Sequence, residues 1–239
     1  MRTLGTAVAA LAVFVATAAA ACGSSTPTPA PSHVQTPTPK PTPTPVPTPD
    51  NESVSVVTTG VGAWQLVAIP VAILKNNAAN HGAAAVVVHF VTHSSGGAAL
   101  GTLDSEAVNL APGETLPVAA DCTDGCNGAA STDVTVNVGS WTTSTGPFFT
   151  TTSGAYQCGT GACGGGRGQG SVSGPLTVSR LAADSSIVVF AVCTSAGGAV
   201  MGAGVTQTIW PGGSSAPVRV PVIVNSDPSA CQLGASAGW

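Results

Sequence analysis

Charged and aromatic side chains are scarce in this chain of 239 residues. Asp, Glu, Lys and Arg together make up 7% of the sequence, aromatic residues make up 4%, and Tyr occurs once. Beyond Asp50 the basic side chains are Lys75, Arg167, Arg180 and Arg219. A protein that binds a nucleic-acid backbone needs clustered Lys and Arg to displace the counterions of the phosphates. The sequence therefore excludes nucleic acid as a partner.

Glu, Lys and Leu, which are common in the helices of soluble proteins, are also rare, and Val, Thr, Ser, Gly and Ala predominate. β-Branched residues favour strands, and small residues favour the turns between them. The Val-rich runs alternate with turn signals at a spacing of about eight to twelve residues, which is typical of a β-sandwich. We expect an all-β protein.

The N-terminus has the three parts of an export signal. Arg2 supplies a positive charge, the stretch from Leu4 to Ala21 is uncharged and apolar, and small residues precede Cys22. Ala19-Ala20-Ala21-Cys22 resembles the bacterial lipobox, although Ala19 stands where that motif usually has Leu. The resemblance implies a lipoprotein signal peptide over residues 1–21 and a lipid on Cys22, which anchors the chain to the cell membrane on its extracytoplasmic face. Cleavage after Ala21 with a free Cys22, or a retained helical anchor, are the open alternatives.

Residues 22–51 form a Thr/Pro-rich segment in which Pro alternates with Thr, Ala, Val and Lys from Thr26 onward. Proline fixes φ and removes a backbone donor, so this segment cannot form helix or sheet. At about 3.1 Å per residue, roughly 25 residues of polyproline II would reach about 75 Å. We expect a disordered stalk that lifts the rest of the chain away from the membrane.

Cysteines beyond Cys22 are even in number, which in an exported chain predicts disulfide bonds. Connectivity does not follow from sequence alone. The simplest scheme joins neighbours: Cys122 with Cys126, Cys158 with Cys163, and Cys193 with Cys231.

Two stretches of the chain match at an offset near one hundred residues. The matched segments, in order, are Val86–Thr92 with Ile187–Cys193, Gly96–Gly101 with Gly197–Gly202, Leu110–Gly113 with Ile209–Gly212, and Trp141 with Trp239. Such self-similarity predicts two tandem copies of one β-domain. We place the first over residues 52–141 and the second over residues 169–239. The Gly/Ser/Thr-rich connector 142–168 is either an inter-domain loop or a disulfide hairpin that completes the second sandwich.

The order of turns and strands within each copy is similar to that of the FxLYD-type domain, an Ig-like β-sandwich of bacterial lipoproteins. The matching residues are Asn76-Asn77, Gly96 and Leu110-Ala111-Pro112-Gly113-Glu114 in the first copy, and Gly197 and Pro211-Gly212 in the second. Thr92-His93 and Cys193-Thr194 stand where the family has Tyr-Asp. The resemblance implies two tandem Ig-like β-sandwich domains.

Several motifs suggest chemistry, but each has a simpler structural explanation. Asp121, Asp124 and Asn127 could offer oxygen ligands to Ca²⁺, yet Asp, Asn and Gly are also the usual turn residues, so an acidic disulfide turn is favoured. His89 and His93 would lie about 13 Å apart on a strand, too far to share one metal ion. We expect no metal and no cofactor.

The four tryptophans, Trp64, Trp141, Trp210 and Trp239, could stack against a sugar or peptide, although packing is the favoured explanation. A G-x-G-x-x-G match at Gly159–Gly164 and a G-x-S-x-G match at Gly234–Gly238 lack the context of a dinucleotide site or a nucleophile elbow. No catalytic residue is predicted.

The sequence therefore favours a non-catalytic binding or scaffolding module at the cell surface, whose partner is an unknown surface protein or glycan. The alternatives are an accessory subunit or enzyme of cell-wall or polysaccharide processing, and a metal- or redox-linked exported protein that uses the cysteines.

Overall fold

The computed structural model describes residues 50–143 and 149–237. The signal peptide, Cys22, nearly all of the Thr/Pro-rich segment and Trp239 lie outside the described residues. Every described residue belongs to one compact unit. Within the described residues all regular structure is strand and none is helix, so the all-β prediction is confirmed.

The first half of the described chain forms two facing sheets. One sheet has the antiparallel order β1-β2-β6. In the other, β3 is central, with β4 and β5 along one edge and β7 and β8 along the other. The strands are β1 (Val54–Trp64), β2 (Val67–Asn76), β3 (Gly82–Ser94), β4 (Ala99–Asp104), β5 (Val108–Leu110), β6 (Thr115–Ala119), β7 (Ala129–Asn137) and β8 (Ser140–Thr142).

The second half repeats the strand pairings of the first. Strands β10, β11 and β14 pair in the order of β1, β2 and β6, and strands β13, β12 and β15 pair in the order of β4, β3 and β7. Its strands are β9 (Phe149–Thr150), β10 (Thr152–Cys158), β11 (Gly168–Val178), β12 (Ser186–Thr194), β13 (Val200–Ile209), β14 (Ser215–Val224) and β15 (Ala230–Ala237). In the first half, the first, second and fifth long strands share one sheet, as strands A, B and E do in an Ig sandwich, and the third and sixth share the other. In the second half the two equivalent sets are joined into one continuous sheet, because β10 also pairs with β15 and β13 also pairs with β14.

Part of the predicted connector belongs to the second sandwich. Strand β10 pairs with β15 through Thr152–Gly154 and with β11 through Ala155–Cys158, and β9 pairs with the end of β11. The described residues 149–168 of this segment therefore contribute β9, β10 and the Cys158–Cys163 loop to the second sandwich.

The turn after the central strand has the same geometry in both halves. Gly97 donates its N–H to the carbonyl of Ser94, and Gly198 donates its N–H to the carbonyl of Ser195. Both glycines have φ +82°. This left-handed conformation favours glycine, which explains why Ser-x-Gly-Gly occurs in both copies.

The two sandwiches share a hydrophobic core, whereas the sequence analysis placed them in separate domains. Phe90, Leu74 and Leu116 of the first sandwich pack in one cluster with Val188 and Phe190 of the second. Adjacent residues of a strand point to opposite faces, and both Val71 and Ala72 of β2 are fully buried. The β1-β2-β6 sheet is therefore covered on one face by its own partner sheet and on the other by β12, β13 and β15.

Glycines allow this close approach of the two sandwiches. A Cβ on Gly62 of β1 would lie 2.2 Å from the carbonyl oxygen of Ile223, and a Cβ on Gly234 of β15 would lie 2.8 Å from Leu116. The residues Ile187, Val189, Ala191 and Cys193, on the other face of β12, fill a second core inside the second sandwich.

Candidate functional site

The tip of the β1–β2 hairpin is the most exposed apolar projection of the described chain. Trp64 ends β1 and pairs with Val67 at the start of β2, so Gln65 and Leu66 form a two-residue turn. Such turns require positive φ, and Gln65 has φ +54° although it is not a glycine. Leu66 is 66% exposed. The hairpin thus holds a strained residue and an exposed leucine at its tip.

One short disulfide loop supports this tip from the first sandwich. Cys122 is bonded to Cys126, and the backbone of Cys122 exchanges two hydrogen bonds with Ala68 of β2. The disulfide packs with Val61, Ala63 and Ala68 in a small third core directly beneath the hairpin.

A second short disulfide loop closes the other side. Cys158 is bonded to Cys163, and the loop between them contains Gly161, whose φ is +78°. A Cβ on Gly161 would lie 3.3 Å from Cζ2 of Trp64, so the glycine allows the loop to pack against the indole. The G-x-G-x-x-G match therefore forms a stapled turn against Trp64.

The third disulfide joins Cys193 of β12 to Cys231 of β15, which face each other in register inside the second sandwich. All three pairings are those that the sequence predicted.

A small pocket of about 140 Å³ opens where the hairpin tip meets the two loops. Its lining residues are Ala63, Trp64, Gln65, Asn127, Gly128 and Arg167. None of them carries a carboxylate. Among the described residues, the Arg167 guanidinium makes no ion pair or hydrogen bond, and its side chain is exposed. The pocket therefore presents an unpaired cation beside an aromatic ring and two amides.

Two larger grooves lie along the seam between the sandwiches, with volumes of about 300 Å³ and 330 Å³. Both are lined by Asp121 and Val205, so they adjoin one another. Asp104 and Glu106 also line the first groove, and no basic side chain lines either one. Val67, the cross-strand neighbour of Trp64, lines the second groove. An acidic seam thus begins next to the cationic tip pocket.

The histidines of β3 lie on the outer face of its sheet and bind separate carboxylates. His89 Nδ1 lies 2.7 Å from Asp104 Oδ1, and His93 Nε2 lies 3.0 Å from Asp133 Oδ2. Phe90 and Thr92, at the intervening positions, are buried. The two imidazoles therefore do not converge on one ion.

The candidate calcium ligands are divided between two cavities. Asp121 lines the seam grooves and Asn127 lines the tip pocket, while Asp124 is an exposed residue of the disulfide turn that lines neither. Across residues 50–143 and 149–237 the structure contains no group of three or more His, Cys, Asp or Glu side chains that could hold a metal ion.

The end of the molecule where the described chain begins has a different polar cluster. Asp50 accepts hydrogen bonds from the backbone N–H groups of Ala79 and Asn80, and chiefly the bond from Ala79 lowers the pKa of its carboxyl. His81 Nδ1 lies 3.1 Å from Asp50 and 3.0 Å from Glu52. These contacts fix the start of the folded chain to the loop between β2 and β3.

Asn76 and the segment Leu110–Glu114, two parts of the FxLYD resemblance in the first copy, meet at this same end. The fully buried Asn76 side chain donates to the carbonyls of His81, Leu110 and Ala111 and accepts from the N–H of Ala78. Glu114 accepts a 2.5 Å hydrogen bond from the N–H of Ala111, yet burial raises the pKa of its carboxyl to about 7. In this chain those residues close a turn.

The tryptophans do not form a common surface among the described residues. Trp210 is fully buried, donates to the carbonyl of Gly213 and meets Phe149 edge-on at 5.3 Å. Trp141 packs against the shared core. Trp64 also packs against the shared core and lines the tip pocket. Ser236 of the G-x-S-x-G match is buried in β15, where its hydroxyl accepts the N–H of Asn109.

Trp64 and Asn127 were separate candidates from the sequence, whereas Gln65 and Arg167 were not predicted as site residues. The available signal was the position of Arg167, a rare basic residue in a Gly-rich loop next to a short disulfide.

No protein-family profile and no curated protein sequence matches this chain. Within the described residues there is no helix of the length and hydropathy needed to cross a bilayer.

Proposed function

We propose that this chain is an exported protein, anchored to the cell membrane by a lipid on Cys22, that acts as a non-catalytic binding or scaffolding module on the extracytoplasmic side. The signal-like N-terminus supports export, and so do three disulfides, which persist in oxidising compartments and are rare in the cytosol. The Thr/Pro-rich segment between Cys22 and Asp50 is suited to act as a stalk.

The observation that carries the proposal is the position of the hairpin tip. Asp50 begins the described chain near the start of β1, and the tip pocket lies at the far end of the same strand. Eleven residues at about 3.3 Å each separate these ends by roughly 35 Å. A tether that enters at Asp50 leaves Trp64, Leu66 and Arg167 at the opposite end, free to meet a partner.

The groups that line the tip pocket suit binding rather than reaction. Trp64 offers an aromatic face, Gln65 and Asn127 offer amides, and Arg167 offers a permanent positive charge. None of these side chains is a nucleophile or a general acid or base at neutral pH. The proposed partner belongs to one of two classes, a surface protein or a glycan.

The resemblance to FxLYD-type lipoproteins is part of the same proposal. The strand order of the first sandwich agrees with an Ig-like fold, and the Asn76 contacts with Leu110 and Ala111 join the two parts of the motif.

Membrane anchoring is tested by expressing the full chain with its own signal and separating membranes from soluble fractions. The unchanged protein is expected in the membrane fraction, with a lipid mass on Cys22. Cys22→Ala is expected to release the protein, whereas Ser24→Ala is the matched control and stays bound. Membrane retention of Cys22→Ala would indicate a retained helix, and an unmodified Cys22 in a secreted product would contradict the anchor.

The redox alternative is tested by counting free thiols in the same purified protein without reduction. A structural role for the cysteines predicts no free thiol beyond residue 50, because all six form disulfides. Thiols that titrate at Cys158 or Cys163, the most exposed pair, would favour the redox alternative.

A further inference from the structure

We propose that the tip pocket binds a sugar ring that carries a carboxylate, such as a uronic acid. This inference rests on the proposed function as a binding module and specifies the chemical class of its ligand. The site is formed by Trp64, Gln65, Asn127 and Arg167.

The charge of the pocket selects an anion. Arg167 presents five N–H donors in a planar fork that matches a carboxylate, and a carboxylate binds such a fork with two parallel hydrogen bonds. Among the described residues no carboxylate neutralises the guanidinium, whereas Lys75 is already bonded to the carbonyl of Gly113 at 2.6 Å. Arg167 is thus a cation that lines a pocket with its donors unused.

The remaining groups suit a ring with hydroxyls. The Trp64 indole is flat, partly exposed and held against Gly161. An aromatic ring of this kind covers the apolar face of a sugar, while the amides of Gln65 and Asn127 both donate to and accept from hydroxyls. The volume of about 140 Å³ is below the roughly 300–1,000 Å³ of sites for drug-sized ligands, so the pocket admits a single small ring.

The backbone next to the pocket is cross-linked before a ligand arrives. Disulfides close the Cys122–Cys126 and Cys158–Cys163 loops, and the hairpin holds Gln65 at φ +54°. Backbone strain of this kind concentrates at ligand-binding positions, and a preformed site loses less conformational entropy when it binds.

The neighbouring seam limits how the ligand can continue. Glu106 and Asp121 line the seam grooves, where no basic side chain lies in the lining, and they repel further negative charge. The pocket therefore fits a single acidic sugar at the end of a glycan, and a glycan with many negative charges that runs along the seam is disfavoured.

The test is a titration of the full-length, detergent-solubilised protein with glucuronate, glucose and acetate, followed by the quenching of tryptophan fluorescence. Glucuronate is expected to quench the emission at a concentration at least tenfold lower than either glucose or acetate. Trp64→Phe is expected to remove most of the response. Equal responses to glucuronate and acetate would mean that the site recognises a carboxylate and not a sugar ring. Equal responses to glucuronate and glucose would mean that Arg167 does not contribute to binding. Either result overturns the proposal.

Matched arginine variants identify the cation. Arg167→Gln is expected to weaken glucuronate binding tenfold or more and to leave the response to glucose unchanged, and Arg167→Lys is expected to fall between. Arg180→Gln, an equally exposed arginine outside the pocket, is the control and binds as the unchanged protein does. Two results contradict the inference: an equal glucuronate affinity of Arg167→Gln and the unchanged protein, or no glucuronate binding by the unchanged protein. Membrane fractionation tests the anchor independently, so these failures leave the anchored module standing.

Discussion

His89 faces Asp104 across strands β3 and β4, and at the equivalent place in the second sandwich Phe190 faces Val205 across β12 and β13. The two pairs occupy matching registers in two copies of the same sheet. The polar pair lies on an outer face, whereas the apolar pair is packed against the β1-β2-β6 sheet in the shared core.

This difference explains why only one of the two equivalent sheet faces packs against the other sandwich. The contact between the sandwiches is heterologous, because the β1-β2-β6 face of one copy meets the β13-β12-β15 face of the other. A heterologous contact that does not close can in general continue into a filament, and repeat proteins prevent this by placing polar residues on their terminal faces. The His89–Asp104 and His93–Asp133 pairs occupy such a terminal face.

Replacing the polar pair by its apolar counterpart is expected to make the protein self-associate. His89→Phe combined with Asp104→Val creates the surface that Phe190 and Val205 form in the second sandwich, now without a cover. The expected result is a concentration-dependent rise in mass, measured by light scattering after size exclusion. His89→Gln with Asp104→Asn is the control, since it removes charge without adding apolar area. An unchanged mass in the apolar variant would show that the polar pair does not limit stacking.

Truncation of Phe190 is expected to destabilise both sandwiches together. The ring is fully buried between them, and Phe→Ala changes at such sites cost about 3–5 kcal/mol. Ile209→Ala, at a residue that is 56% exposed, is the control and is expected to change stability by less than about 0.5 kcal/mol. Denaturant unfolding measures both, and the shared core predicts one cooperative transition. Two transitions in the unchanged protein would mean that the sandwiches unfold independently.

Much of the strand layout follows from local sequence, because side-chain alternation and turn residues act over a few positions. The period of two puts Cys193 on the inward face with Val189 and Ala191, where it meets Cys231. The same alternation puts His89 and His93 on the outer face, but their carboxylate partners depend on cross-strand register and were not foreseen.

The stacking and the tip pocket could not be read from local pattern. The run from Ile187 to Cys193 is apolar on both faces, which indicates a strand buried on both sides, but sequence does not say what covers it. The pocket joins Trp64, Asn127 and Arg167 from three distant segments, and only the tertiary fold brings their loops together.

Gly62 is expected to tolerate no side chain. A Cβ there would lie 2.2 Å from the carbonyl oxygen of Ile223, so Gly62→Ala forces β1 away from β14. Overpacking of this kind typically costs about 1–3 kcal/mol. Gly96→Ala is the control, because the nearest atom to its Cβ would be the Ser94 hydroxyl at 3.8 Å. The free energy of unfolding in denaturant distinguishes them, and equal values for the two variants would contradict the close sheet contact.

Glu114 is expected to make stability fall as the pH rises. Burial raises the pKa of its carboxyl from 4.5 to about 7, so the folded protein holds a proton that the unfolded chain has already released. The contribution of this group is therefore complete below about pH 4.5 and decreases as the pH rises through about 7. At 1.36 kcal/mol per pH unit the decrease is at most about 3 kcal/mol.

Glu114→Gln isolates this effect, because its amide oxygen can still accept the N–H of Ala111 and carries no charge to bury. We expect the variant to match the unchanged protein near pH 4.5 and to exceed its stability by about 1–3 kcal/mol at pH 8. Denaturant unfolding from pH 4 to pH 9 measures the difference. Glu106→Gln, at an exposed carboxylate, is the control, and its free energy of unfolding is expected to depend on pH as that of the unchanged protein does. Parallel stability curves for Glu114→Gln and the unchanged protein would place the titration of Glu114 at its ordinary pKa and remove burial as a cause of pH sensitivity at this turn.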